Sequence, residues 1–163
     1  MFAALASFRS TPARYARFYS STLKSASAEF DQEAIASKLG FSIRTPGILQ
    51  QALTHKSFKH DTVPSNERLE YLGQRVLTLL VTEHQATNAS NAEQLKAAVD
   101  EKLDHDRLKS KLETLGLDKG LQYHLPKEGS KVPAKAMTAF VGAIYQDNGM
   151  EATRKFVKKY LLN

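Results

Sequence analysis

Cysteine and tryptophan are absent from this 163-residue chain, and so are long apolar runs. Without cysteine the protein has no disulfide framework, no cysteine–zinc site and no thiol nucleophile, and it does not depend on an oxidising compartment. Without a long apolar run, the sequence predicts no membrane-spanning helix. The length suits one domain that buries its own core.

Acidic residues are also absent from the first 28 positions of the chain. The charged residues there are Arg9, Arg14, Arg17 and Lys24. Arginine among alanine, hydroxyl and apolar residues is typical of a mitochondrial presequence, and Arg17-Phe18-Tyr19 resembles the sites at which matrix peptidases cut. We predict a cleaved presequence over residues 1–19, a linker over 20–28 and import into the mitochondrial matrix. A disordered basic tail is the alternative.

The excess of positive charge in the rest of the chain lies at the C-terminal end. Residues 20–118 hold 12 basic and 14 acidic side chains, whereas residues 119–163 hold eight and three. Because lysine and arginine supply most contacts to phosphate, we expect this end to face RNA. The residues predicted to contact RNA are Lys127, Lys131, Arg154, Lys155, Lys158 and Lys159. For the last four, a solvated helix face is the alternative interpretation.

The hydrophobic pattern after residue 28 is helical almost throughout, with apolar residues recurring at spacings of three and four. The predicted helical segments are 29–39, 45–53, 66–86, 91–115 with an internal break, 133–149 and 150–162. No strand-like alternation of useful length is present, so we predict an all-α domain over residues 29–163.

Four residues in these segments predict local structure. Thr45, which precedes a proline, and Ser65 are expected to cap the helices that follow them. Gly73 and Gly142 lie inside helical segments, where glycine costs helix propensity. Such glycines indicate that two helices approach each other closely.

Two pairs of polar residues stand out on the apolar helices. Glu70 and Gln74 lie one turn apart, and Lys135 and Thr138 share a face of a later helix. Helical folds build two-metal carboxylate sites from helices that each present such a pair inward. Only one of the four residues here is an acid.

Three stretches resemble the ribonuclease III endonuclease domain, and they are ALTHKS (52–57), NERLEYLGQRVL (66–77) and KVPAKAMTAFVGAIYQDNG (131–149). The resemblance runs from about residue 30 to 160 and implies the ribonuclease III-like helical fold. It also implies that Glu70 is the family's first metal-binding glutamate.

The same resemblance implies that Gln74, Lys135 and Thr138 replace three acidic metal ligands. We therefore expect no metal, no cofactor and no catalysis. We also expect the Lys135 ammonium to pair with Glu70 in place of the metal.

The resemblance also implies that the chain pairs with another ribonuclease III-like chain through the helix that contains NERLEYLGQRVL (66–77). The predicted contact residues are Leu69, Leu72, Gly73 and Val76. The chain resembles the inactive ribonuclease III-like proteins of the fungal mitochondrial large ribosomal subunit. The resemblance rests on the predicted presequence, on the replacement of three acidic metal ligands, and on the lack of room for a double-stranded-RNA-binding domain after residue 163.

That resemblance implies a structural role on ribosomal RNA, beside ribosomal proteins that include a second ribonuclease III-like protein. One alternative is a non-catalytic subunit of a heterodimeric RNA-processing nuclease. The other is an adaptor that holds a helix of another protein without contacting RNA.

Overall fold

The structure, a computed structural model, describes residues 30–58, 62–124 and 131–163. Its helices are α1 (Gln32–Leu39), α2 (Ile48–Ala52), α3 (Glu67–Ala86), α4 (Ala92–Lys102), α5 (His105–Thr114) and α6 (Val132–Phe156). A 3-10 turn (Asp118–Gly120) follows α5, and a π-helical turn (Val157–Leu161), the C-terminal turn, follows α6.

Within these three ranges, extended pairing is limited to one parallel bridge between Thr54 and Gln122, and the predicted all-α fold is confirmed. In the same ranges no helix combines the length and the apolar character that a membrane span requires. The predicted presequence, the linker and Lys127 lie outside the described residues.

Helix α6 forms the centre of the domain. From Val132 to Ile144 nearly all of its side chains are buried, and α2, α3, α5 and the C-terminal turn pack around it. A helix that is apolar on all sides is stable only when other elements cover it on all sides. The other helices therefore take their positions from α6.

Helices α3 and α6 cross where two glycines meet. A Cβ atom at Gly73 would lie 1.9 Å from the carbonyl oxygen of Thr138, and one at Gly142 would lie 2.1 Å from that of Leu69. No side chain fits at these separations, because the two backbones are in direct contact. The close helix approach predicted from the two glycines is confirmed.

Several helix ends lie where the sequence predicts them. The Asn91 side chain accepts a hydrogen bond from the Gln94 amide at 2.8 Å, and Asp104 caps α5 at the predicted break. Gly116 has a φ of 73° just after α5. Gly149, with φ 79° and ψ −176°, interrupts α6 at the predicted division between the last two helical segments.

The predicted cap at Thr45 is wrong, because its hydroxyl group binds a different element. Thr45 Oγ1 donates to Oδ1 of Asp147 at 2.7 Å, and the Arg44 amide donates to Oδ2 of the same carboxylate at 2.5 Å. Asp147, which is nearly buried, thus fastens the loop before α2 to α6. Helix α2 begins later, at Ile48.

The predicted cap at Ser65 is also wrong. Helix α3 begins at Glu67, and the residue before it is Asn66, which is completely buried. The Asn66 side-chain amide donates to the Ala52 carbonyl at 3.2 Å, while the Ser65 carbonyl accepts from the Gln51 side chain at 3.0 Å. Both residues therefore tie the start of α3 to the region of α2.

Candidate functional site

Glu70 on α3 and Lys135 on α6 lie together, as the sequence predicts. The Lys135 Nζ atom is 3.7 Å from Oε1 of Glu70, and the two side chains are 42% and 25% exposed. A loose ion pair of this exposure contributes little to the free energy of folding. The carboxylate is less enclosed than we expected, but an ammonium group does accompany it.

The other two positions of this site do not surround Glu70 with oxygen ligands. Thr138 is buried, and its hydroxyl group donates to the Ala134 carbonyl at 3.1 Å, within its own helix. Gln74 lies on the exposed side of α3. The site therefore offers one carboxylate, one neutral amide and a hydroxyl group that is already engaged.

A magnesium ion does not fit this set of groups. Mg²⁺ requires near-octahedral oxygen ligands and is held in proteins through carboxylates. The Lys135 ammonium, 3.7 Å from the only carboxylate of the site, would repel the ion at short range. Among the residues that the structure describes, no group of three or more acids and histidines is arranged to hold a metal.

Three of the four residues predicted for pairing lie in the core of this chain. Leu69 and Val76 are 1% and 6% exposed, and Gly73 is in backbone contact with α6. The prediction is wrong for these three, because α6 already covers them. Leu72 is partly buried, and its place in an interface stays a prediction.

One row of exposed side chains on α3, which we call the α3 outer face, consists of Tyr71, Arg75 and Leu79. Tyr71 and Leu79 are 64% and 56% exposed, unusually high for large apolar side chains. The Arg75 guanidinium lies 5.0 Å from the centre of the Tyr71 ring. Their spacing of four residues, which is visible in the sequence, places them along one side of α3 and could have indicated this surface.

The predicted RNA-contacting residues fall into two places. Lys155, Lys158 and Lys159 are exposed where α6 meets the C-terminal turn, and we call them the lysine cluster. Their spacing of three and four residues places them side by side, with the Lys159 ammonium 4.9 Å from the centre of the Tyr160 ring. Lys131 lies at the other end of α6 and is separate from this cluster.

Arg154 differs from the neighbouring lysines because it is engaged within the chain. Its guanidinium donates to the Glu83 carboxylate on α3, and a second carboxylate, that of Glu151, lies 3.8 Å away. The hydrogen bond with Glu83 raises the pKa of Arg154 above its ordinary value. This side chain joins α6 to α3 and is less available to a phosphate than the lysine cluster.

The sequence matches a family described as ribonuclease-III-like over residues 45–163. Ribonuclease 3 of Desulforamulus reducens is 33% identical over 147 residues, a match that covers 78% of this chain and 57% of that protein. Ribonuclease 3 of Bdellovibrio bacteriovorus is 31% identical over 143 residues, covering 78% and 59%. The chain thus spans somewhat less than two thirds of the length of these relatives.

The fold matches solved structures of the nuclease domain of ribonuclease III from Campylobacter jejuni. One has a TM-score of 0.70 at 27% identity and covers 80% of this chain and 96% of that one. A second has a TM-score of 0.68 at 26% identity, covering 80% and 93%. By sequence and by fold, this chain belongs to the ribonuclease III-like family.

Proposed function

We propose that this protein is a non-catalytic, structural component of the mitochondrial large ribosomal subunit. In this role it binds ribosomal RNA and pairs with a second ribonuclease III-like protein. The observation that carries the proposal is the contact between Lys135 and Glu70, because it puts a fixed cation where a nuclease of this family would need acids.

The chemistry of phosphodiester cleavage explains why this contact matters. Metal-dependent nucleases use divalent cations to activate water and to neutralise charge on the leaving oxygen. In this chain Gln74, Lys135 and Thr138 replace the acids that would hold those cations. The fold of a nuclease domain is present, but the charge needed to bind its metals is absent from these positions.

The lysine cluster supports binding to RNA. Its three lysine side chains are exposed and close together in the sequence, and the carboxylates of Glu83 and Glu151 are engaged by Arg154. Each lysine that contacts a phosphate releases bound counterions, and this release is the main driving force of non-specific nucleic-acid binding. The cluster is thus suited to the backbone of RNA rather than to its sequence.

The α3 outer face supports pairing with another protein. Large apolar side chains that stand exposed together mark interaction sites, and aromatic residues dominate the energetics of such contacts. One of the Campylobacter jejuni structures concerns flexibility in a region involved in dimer formation of that nuclease domain. Pairing through α3 would leave the lysine cluster free for RNA, since the cluster lies on α6 and the C-terminal turn.

Replacing Tyr71 with aspartate should abolish pairing. Aspartate removes the aromatic ring from the contact, and loss of an aromatic hot spot weakens binding by about 2 kcal/mol or more, roughly thirtyfold. The measurement is recovery of the second ribonuclease III-like protein with the tagged chain from mitochondria.

The matched control for this change is Tyr123→Asp, which alters the same residue type at a second exposed position. The second ribonuclease III-like protein should be recovered with the Tyr123→Asp variant as fully as with the unchanged chain. Equal recovery with both variants would show that the α3 outer face is not the pairing surface.

The ribosomal role is tested by sedimentation of mitochondrial lysate through a high-salt sucrose gradient, following the tagged chain. We expect the chain to migrate with the large ribosomal subunit in a constant ratio to its RNA. A chain that sediments slowly and enables magnesium-dependent RNA cleavage with another protein would instead be a processing-nuclease subunit. A free chain with neither property would be an adaptor.

The acid-free N-terminal segment supports import into the matrix, where this ribosome works. Mass spectrometry of the N-terminus of the mature protein from mitochondria gives the direct test. We expect it to begin near residue 20.

A further inference from the structure

A cleft of about 160 Å³ separates the end of α3 from the C-terminal turn. Its floor is apolar and consists of Leu80, Val157 and Leu162. Leu80 and Val157 are buried, whereas Leu162 is partly exposed. A ligand from outside would therefore contact chiefly Leu162, with Leu80 and Val157 beneath it.

The rim of the cleft is positively charged. Glu83 and Arg154 form an ion pair across it and neutralise each other. The remaining polar side chains of the rim include Lys158 and the imidazole of His84, both of which are exposed. Lys155 and Lys159 continue the positive charge beyond the rim, so an anionic ligand would be attracted to this end of the molecule.

The size of the cleft limits what it holds. A cavity of about 150 Å³ in an apolar core accommodates one benzene molecule, whereas pockets for drug-sized ligands measure about 300 Å³ or more. The cleft thus suits one ring-shaped group, with an edge left in solvent. A longer segment would have to lie outside it.

We propose that this cleft binds one unpaired base of an RNA, whose flanking phosphates contact Lys158 and Lys155. Proteins commonly recognise RNA at loops and bulges, where a base turned out of the helix stacks on a side chain such as histidine. Here His84 supplies the stacking surface and the apolar floor receives the ring. The proposal rests on the proposed RNA-binding function and adds the structural class of RNA, one with an unpaired nucleotide.

A nucleic acid suits this surface better than an acidic peptide. A peptide side chain would fill the floor equally well, but it would leave the row of three adjacent ammonium groups to be matched by consecutive acids. An RNA strand brings one phosphate with every nucleotide, so a base in the cleft places regularly spaced anions beside the lysine cluster. The His84 imidazole on the rim also favours a base, because a base can stack on it.

The test compares two RNAs and four forms of the full chain, namely the unchanged protein, Thr87→Trp, Ala97→Trp and Lys158→Gln. One RNA is a hairpin with 2-aminopurine in a four-nucleotide loop, and the other is a blunt duplex with the stem sequence. Thr87→Trp places an indole ring at the rim, where the exposed Thr87 lines the cleft. Ala97→Trp, at an exposed position of α4, adds the same ring elsewhere and serves as the control. Thermal unfolding verifies that both tryptophan variants fold.

For the unchanged protein and for Ala97→Trp, we expect tighter binding of the hairpin than of the duplex and a change in 2-aminopurine fluorescence. Thr87→Trp should weaken hairpin binding about tenfold, as loss of one stacked base does, and leave duplex binding unchanged. Lys158→Gln should reduce the slope of log affinity against log salt concentration by about one for either RNA.

Three results would overturn the proposal, and each has a different meaning. If Thr87→Trp binds both RNAs as the unchanged protein does, RNA binding stands but the cleft takes no base. If the unchanged protein binds neither RNA, the proposed RNA-binding function fails as well. If an acidic peptide with a leucine or phenylalanine side chain binds instead, and Thr87→Trp blocks it, the cleft is a protein-binding site.

Discussion

Replacing Gly73 with alanine is expected to lower the free energy of unfolding by about 3 kcal/mol or more, one of the largest effects available to a single methyl group. The new Cβ would stand 1.9 Å from the Thr138 carbonyl oxygen, so α3 and α6 must separate before the methyl fits. Backbone atoms cannot turn aside as a flexible side chain does. The clash therefore outweighs the gain of about 1 kcal/mol in helix propensity that alanine brings.

Urea unfolding followed by circular dichroism gives the measurement, and Gly116→Ala gives the control. Gly116 has nothing within 4 Å of its Cβ position, but its φ of 73° is unfavourable for alanine. That variant should lose only about 1–2 kcal/mol from backbone strain. A Gly73→Ala protein as stable as the Gly116→Ala protein would contradict the close helix crossing.

Replacing Lys155, Lys158 and Lys159 with glutamine is expected to weaken RNA binding at least hundredfold at about 50 mM salt. Each phosphate contact adds about −0.7 to −0.9 to the slope of log affinity against log salt, so the loss of three contacts flattens that slope by about two to three. The lysines are exposed, so the substitutions should leave the free energy of unfolding nearly unchanged. Fluorescence anisotropy with a labelled RNA over a salt series measures both quantities.

The control for this change replaces Lys38, Lys96 and Lys102 with glutamine. It removes the same charge from α1 and α4, outside the lysine cluster. This variant should keep most of its affinity and most of its salt dependence. Equal losses of affinity in the two triple variants would mean that RNA binding depends only on the net charge of the protein. The lysine cluster would then not be a binding surface.

Local sequence was sufficient to predict much of the fold. Apolar spacing predicted the helices, and the break at Gly149 was visible because a glycine after an asparagine is a common helix end. The crossing of α3 and α6 followed from Gly73 and Gly142, since glycine inside a helix usually has a packing reason. The helix end at Gly149 depends on that residue's own conformational preference, whereas the helix crossing depends on the absence of a side chain at Gly73 and Gly142.

Predictions failed where a distant residue decided the outcome. Thr45 is bound by Asp147, 102 positions further along. Arg154 likewise pairs with Glu83, 71 positions earlier, while its contact with RNA stays a prediction. The pattern of single residues does not show such pairs. Leu69, Gly73 and Val76 were misplaced for a related reason, because the resemblance that indicated the pairing helix does not show which side of that helix the same chain covers.

The backbones of α3 and α6 touch at Gly73 and Gly142, where a Cβ atom would meet backbone atoms of the other helix. Glu70 and Lys135 join the same two helices only through their side chains. Those two side chains are partly exposed and only loosely paired. The fold therefore does not require a particular charge at position 70 or at position 135. The charge of this site can thus be changed without altering the packing of α3 against α6, whereas a larger residue at either glycine would disturb that packing.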